Sequence, residues 1–148
     1  MKKSDFEYET DEFKTFISRT AHNYKRALDR YFEFVEAWVK FSPEQFDGEV
    51  SFEVKRQESR VSGRVIGEEF DIRSRLLINS QGAFLHAAIT VHDILADKEV
   101  EIGSFLVSQN GSVHSEDGEL LIDRNQHMIE YSLLAAVLRR VLRITTKD

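Results

Sequence analysis

The chain has 148 residues and a net charge of −6, from 20 basic and 26 acidic residues. A hydrophobic share of 41% and a charged share of 31% are typical of a globular protein, and they exclude wholesale disorder. The acidic balance argues against a nucleic-acid partner. The absence of cysteine excludes disulfides, zinc–thiolate sites and a thiol nucleophile. No apolar run reaches membrane-span length and the first residues lack a secretion signal, so we expect a cytoplasmic protein with no membrane association.

The length predicts one domain over residues 1–148, in which residues 1–9 form a flexible N-terminal segment. Charge is distributed unevenly along this domain. Residues 54–78 contain six basic and four acidic groups, whereas residues 79–130 contain two basic and nine acidic groups. We therefore expect a basic patch within an acidic protein.

A long amphipathic helix is predicted near the N-terminus. Thr10 has a side chain suited to capping the helix, and apolar residues recur at helical spacing from Phe13 to Trp38. Pro43, the only proline, predicts a break there and a separate short turn in which it takes the first helical position.

The apolar arc of this helix widens over its second half. A wide arc indicates contact with both a sheet and a second helix, or else a subunit interface, and the sequence leaves both alternatives open. The candidate partner or dimer face consists of Phe32, Phe34, Trp38 and Phe41.

Residues 49–109 alternate between apolar and polar side chains with a period of two, which predicts β-strands. The gaps between the strands are short, so consecutive strands pair as antiparallel hairpins. Asn110-Gly111 and Asp117-Gly118 are further hairpin signals, and Gly103 marks an expected bulge. The pattern predicts a meander of five to seven strands.

A last helix follows, for which Asp123 and Gln126 are the predicted capping pair and residues 128–142 supply a broad apolar face. The fold class is thus α+β: a long N-terminal helix, an antiparallel meander and a C-terminal helix. Packing both helices on one face of the sheet buries all three apolar surfaces.

The opposite face of the sheet, called the outer face below, is predicted to be basic. Counting from the turns places Arg64 opposite Asp71, Leu77 opposite Phe84, Arg75 opposite His86, and His92 near Glu99 or Glu101. One alternative is a solvated face with weak ion pairs. The other is a site for an anionic ligand or peptide, formed by Lys55, Arg64, Arg73, Arg75, His86 and His92.

The sequence contains no nucleophile elbow, no glycine-rich phosphate loop and no diagnostic metal-ligand spacing, so we predict no catalytic residue, metal or cofactor. It leaves open whether the protein is an enzyme and favours a non-enzymatic one. The leading hypothesis is a cytoplasmic protein-binding protein of the adaptor, chaperone-like or inhibitor/immunity type. Its partner is unknown; a basic partner would suit the acidic residues 93–130, and a two-fold homodimer is a further expectation. The alternative is a receptor or enzyme for a small anionic ligand bound on the outer face.

Overall fold

The structure is a computed structural model that describes residues 1–144. A 3₁₀ turn at Lys3–Phe6 precedes the long helix, and a second one, Arg56–Glu58, joins the first two strands. The helices are α1 (Thr10–Gln45) and α2 (Ile129–Val141). The strands are β1 (Val50–Lys55), β2 (Arg60–Val65), β3 (Glu68–Asn79), β4 (Gly82–Asp93), β5 (Lys98–Val107), β6 (Val113–His114) and β7 (Leu120–Ile122).

The seven strands form one antiparallel sheet in the order of the chain, and the sheet curls. The second half of α1 packs against β1, β4 and β5, and α2 packs against β5 and α1. The predicted α+β fold is therefore confirmed, with seven strands in the meander. The expected bulge is also present: Ile89 pairs with Gly103 and Thr90 with Glu101, so Ile102 is the extra residue.

The core lies between the helices and the inner face of the sheet. Trp38 and Tyr31 on α1 are at most 1% exposed, and their rings meet edge to face at 6.5 Å between centroids. The indole Nε1 of Trp38 donates a hydrogen bond of 2.8 Å to the carbonyl oxygen of Glu130. This bond joins the two helices at the start of α2.

The ends of α1 differ from the prediction. The N-cap is Glu9 instead of Thr10, because the Glu9 carboxylate accepts a hydrogen bond of 2.6 Å from the backbone N–H of Glu12. The helix also continues through Pro43 to Gln45. Because the carbonyl of Ser42 accepts from the N–H of Phe46, the last turn closes despite the proline.

The start of α2 was also predicted wrongly. Asp123 accepts the backbone N–H of Asn125 at 2.9 Å, and its carbonyl accepts that of Gln126, so it closes a separate turn. The helix begins only at Ile129, after Met128 adopts a left-handed conformation with φ of 58°. The helix ends at Val141, so Leu142 follows it as the C-cap residue.

The register of β2 against β3 is shifted from the expected one. The turn consists of Ile66 and Gly67, with φ of 48° and 78°, so Arg64 pairs with Glu69 instead of Asp71. A two-residue turn with two positive φ angles matches the twist of a hairpin. The other predicted cross-strand pairs, Leu77–Phe84, Arg75–His86 and His92–Glu99, are confirmed.

Candidate binding surfaces

The first part of α1 projects from the folded body. Ala27 is the first fully buried residue of the helix, and Tyr24 is the first whose side chain packs against the core, so residues 10–26, called the arm below, are held only near their C-terminal end. At 1.5 Å per residue the arm is about 25 Å long. Its residues 10–23 add no side chain to the core, and so short a helix is only marginally stable by itself in water.

An apolar stripe runs along the arm and consists of Phe13, Phe16 and Ile17. These side chains are 51%, 37% and 50% exposed. Phe6 and Tyr8 precede the stripe and are each 66% exposed, and the ring of Tyr8 lies 5.6 Å from that of Phe13. Single exposed apolar residues are ordinary, but a continuous row of them indicates an interaction surface.

Charge is segregated along the same segment. Residues 7–12 contain four acidic and no basic groups, whereas residues 13–28 contain four basic and no acidic groups. Glu12 and Arg19 border the same shallow groove beside Phe16. Within residues 1–144 neither of them has an oppositely charged partner within 4.0 Å.

The predicted helix face lies mostly in the core. Phe32, Phe34 and Trp38 are 2%, 6% and 0% exposed. These three side chains therefore pack within the domain, in agreement with the alternative of contact with the sheet and the second helix. Phe41 is partly buried and lines a shallow apolar pocket with Tyr131 and other residues at the junction of α1 and α2. The exposed apolar surface of α1 is instead the stripe.

The outer face brings together three of the six predicted basic residues. Arg73 and Arg75 project from β3, and His86 lies directly opposite Arg75 on β4. They line a shallow pocket of about 190 Å³, together with Ala88 and Glu101. The small side chain of Ala88, opposite Arg73, leaves the space between them. Among residues 1–144 neither arginine has a carboxylate within 4.0 Å.

Lys55 lies in the same cross-strand row as Arg73, separated from it by Arg60. The predicted face omitted Arg60, which forms two hydrogen bonds of 2.9 and 3.0 Å with the Asp71 carboxylate. Burial alone would raise the pKa of Asp71, but hydrogen bonds from Arg60 and Ser62 outweigh it and hold the pKa below its usual value. The charge of Arg60 is therefore already matched.

Arg64 and His92 lie away from the pocket, among carboxylates. Arg64 donates to Glu69, and both side chains are more than half exposed. The ring nitrogens of His92 lie 3.2 Å from Asp97 and 3.5 Å from Glu99. Arg64 belongs to a solvated ion pair, and His92 makes solvated contacts with carboxylates, both at the edge of the outer face.

The outer face is not uniformly exposed to solvent, so the alternative of a solvated face with weak ion pairs is wrong for part of it. Phe84, His86 and Leu106 are 5%, 5% and 0% exposed. Residues of β6 and of the turn after it cover this part of the face. The ring of His114, which pairs with Leu106, lies 5.5 Å from that of Phe84. Glu116 in the turn accepts a hydrogen bond from Ser104 and lies 3.8 Å from His86 Nε2. That nitrogen has no hydrogen-bond partner among residues 1–144.

A buried polar cluster closes the β5–β6 hairpin, and the sequence analysis did not find it. The hydroxyls of Ser108 and Ser112 lie 2.7 Å apart and both donate to the side-chain oxygen of Asn110. Ser112 Oγ also lies 3.0 Å from His114 Nε2. His114 is thus half-buried and hydrogen-bonded. Both hydroxyls donate to Asn110, so the cluster stabilises the hairpin and offers no free nucleophile.

In the described part of the chain, no three histidine, aspartate or glutamate side chains are grouped as metal ligands. Between Met1 and Ile144, no helix is both long enough and apolar enough to cross a membrane. Comparisons with protein-family models, curated proteins and solved structures gave no match to this chain.

Proposed function

We propose that this chain is a non-enzymatic, cytoplasmic protein-binding protein and that the arm is its binding element. The observation that carries the proposal is the exposed stripe of Phe13, Phe16 and Ile17 on the part of α1 that precedes its first fully buried residue, Ala27. Helix-in-groove recognition uses apolar anchors at this spacing, and large aromatic side chains supply most of the energy at such interfaces.

The charge of the arm defines the chemistry of the partner. The stripe is flanked by Lys14, Arg19, Lys25 and Arg26, so the surface that binds it offers an apolar strip bordered by acidic groups. The acidic residues 93–130 support a separate proposal, that the protein also binds a basic partner. Glu116, Asp117 and Glu119 in the β6–β7 region have the charge for that partner.

Site-specific photo-crosslinking in cells tests the role of the arm. A photo-reactive benzoylphenylalanine replaces Phe13 in one variant and Ser18 in the control. Ser18 is also exposed, but it lies on the side of the helix away from the stripe. We expect a discrete covalent adduct from position 13 and none from position 18. The adduct mass then identifies the partner protein.

Two results contradict the proposal. One is the absence of any adduct from position 13 at full expression. The other is the same set of adducts from positions 13 and 18, which would mean that the stripe gives no specificity.

A second candidate function is supported by the outer face: binding of a small anionic ligand by Arg73, Arg75 and His86. The supporting observation is His86 Nε2, which is buried without a partner beside two unpaired arginines. In the tautomer that carries the proton on Nε2, His86 donates a hydrogen bond, and guanidinium groups bind phosphate or carboxylate oxygens. Two carboxylates oppose anion binding and limit the expected affinity: Glu101 at the same pocket, and Glu116, which lies 3.8 Å from His86 Nε2.

Titration with inorganic phosphate, followed by amide chemical shifts, tests the second candidate. We expect saturable shifts around residues 73–75 and 86–88 that disappear in the Arg73→Glu/Arg75→Glu variant. Arg64→Glu is the matched control, because Arg64 lies on the same face but pairs with Glu69. Shifts that do not saturate, or that persist in the double variant, refute this function.

A further inference from the structure

The charges of the arm indicate which partner covers the stripe. We propose that the arm pairs with the arm of a second copy in antiparallel orientation, with Phe13 against Phe16 and Glu12 against Arg19 of the other copy. This inference rests on the proposed role of the arm as a binding element, and it adds the identity and the orientation of the partner.

The orientation follows from the segregation of charge. Parallel arms would place the acidic residues 7–12 of both copies together, and likewise the basic residues 13–28. Antiparallel arms place the acidic end of each copy beside the basic segment of the other. Attraction at both ends therefore favours the antiparallel pair, and repulsion at both ends disfavours the parallel one.

The register follows from the helical spacing. Glu12 and Arg19 are seven residues apart, so they occupy the same flank of the stripe, two turns from each other. A two-fold axis between antiparallel helices brings the same flank of each helix together. Stacking Phe13 on Phe16 of the other copy then places Glu12 opposite Arg19 twice, once on each side of the axis.

The arms are also free to pair in this way. The first α1 side chain packed against the core is that of Tyr24, beyond the paired residues 12–19, so the two bodies lie at opposite ends of the paired arms. Glu12 and Arg19 have no ion-pair partner among residues 1–144 that would compete.

The area available predicts a weak dimer. A large apolar side chain has about 200 Å² of surface. The exposed fractions of Phe6, Tyr8, Phe13, Phe16 and Ile17 then correspond to about 500 Å² per copy and about 1,000 Å² for the pair. This is the lower end of specific interfaces, so we expect dissociation in the micromolar range.

Charge exchange between two positions tests the pairing. In Glu12→Arg both cross-arm pairs become Arg–Arg, and in Arg19→Glu both become Glu–Glu. From the size of exposed ion pairs we expect each variant to weaken the dimer roughly tenfold. The double variant restores opposite charges and the affinity. An equimolar mixture of the two single variants forms a mixed dimer more tightly than either variant associates with itself.

Ser18→Glu is the matched control. It introduces a negative charge next to Arg19, but Ser18 lies on the side of the helix away from the stripe and does not line the groove of Glu12 and Arg19, so we expect no change in dimer affinity. Sedimentation over about 1–500 µM, spanning the micromolar affinities typical of small interfaces, measures each dissociation constant.

A wild-type protein that stays monomeric over this range overturns the inference, as does a double variant no tighter than the single variants. Either result leaves the proposed function standing if the position-13 crosslinker captures a different protein. If position 13 captures nothing, the proposed function fails as well.

Discussion

The close approach of Gly63 and Phe70 gives the sharpest test of the sheet. The two residues face each other in the β2–β3 pair, and the Phe70 ring covers the glycine. A Cβ atom added to Gly63 would lie 2.3 Å from the ring carbon Cζ of Phe70. The ring is only 3% exposed and meets Phe52 edge to face, so any shift of the ring disturbs its packing in the core. Forced repacking of this kind costs about 1–3 kcal/mol.

We therefore expect Gly63→Ala to lower the midpoint of thermal unfolding by roughly 3–10 °C, at about 2–4 °C per kcal/mol for a chain of this size. Gly103→Ala is the matched control, because its added Cβ would meet only ordinary contacts, the nearest being Arg140 Cδ at 3.6 Å. Calorimetry and urea unfolding of both variants provide the assay. Equal stability of the two variants would refute the packing of Phe70 over Gly63, and with it the β2–β3 register.

Three further substitutions address single interactions. Tyr31→Phe removes a buried hydroxyl that has no partner among residues 1–144, so we expect it to raise the free energy of unfolding by about 1 kcal/mol; a loss of stability would contradict the burial. Trp38→Phe removes the hydrogen bond to the Glu130 carbonyl and should cost about 2 kcal/mol in urea unfolding, whereas no change would argue against the junction of α1 and α2. The pKa of Asp71 is lower in the folded protein than in the unfolded chain. Its contribution to the free energy of unfolding is therefore complete above the unfolded pKa of about 4, and it is lost as the pH falls through the folded pKa. Unfolding against pH should therefore show that Asp71→Asn costs stability at pH 7 and little near pH 2; an equal cost at both would exclude the ion pair with Arg60.

The strands were predictable because alternation and short gaps are local signals. The register of the β2–β3 hairpin was not, because its turn places Ile66 at a φ of 48°. A β-branched residue rarely adopts that conformation, so the sequence favoured a turn one residue later. The continuation of α1 through Pro43 depends likewise on contacts from other parts of the chain, since Phe46 stacks on Tyr131.

In the candidate sites, too, local patterns were predictable and contacts between distant parts of the chain were not. Strand alternation was sufficient to place Arg75 beside His86. The burial of His86 depends on Glu116, which reaches it from a turn 30 residues later, and no local pattern records that contact. The helical pattern also continues without interruption from Phe13 to Trp38, so periodicity could not show that the sheet covers only the second half of α1.

Amide hydrogen exchange of residues 10–26 tests the central claim, that a protein surface covers the stripe. The protein is isolated gently from the cells that produce it, beside a Phe13→Ser/Phe16→Ser variant, with β4 as the internal standard. An arm without contacts exchanges rapidly, because so short a helix is marginal by itself. We predict a protected arm in the wild type, an unprotected arm in the variant, and equal protection of β4 in both. Equally rapid exchange of the arm in both proteins would contradict the claim.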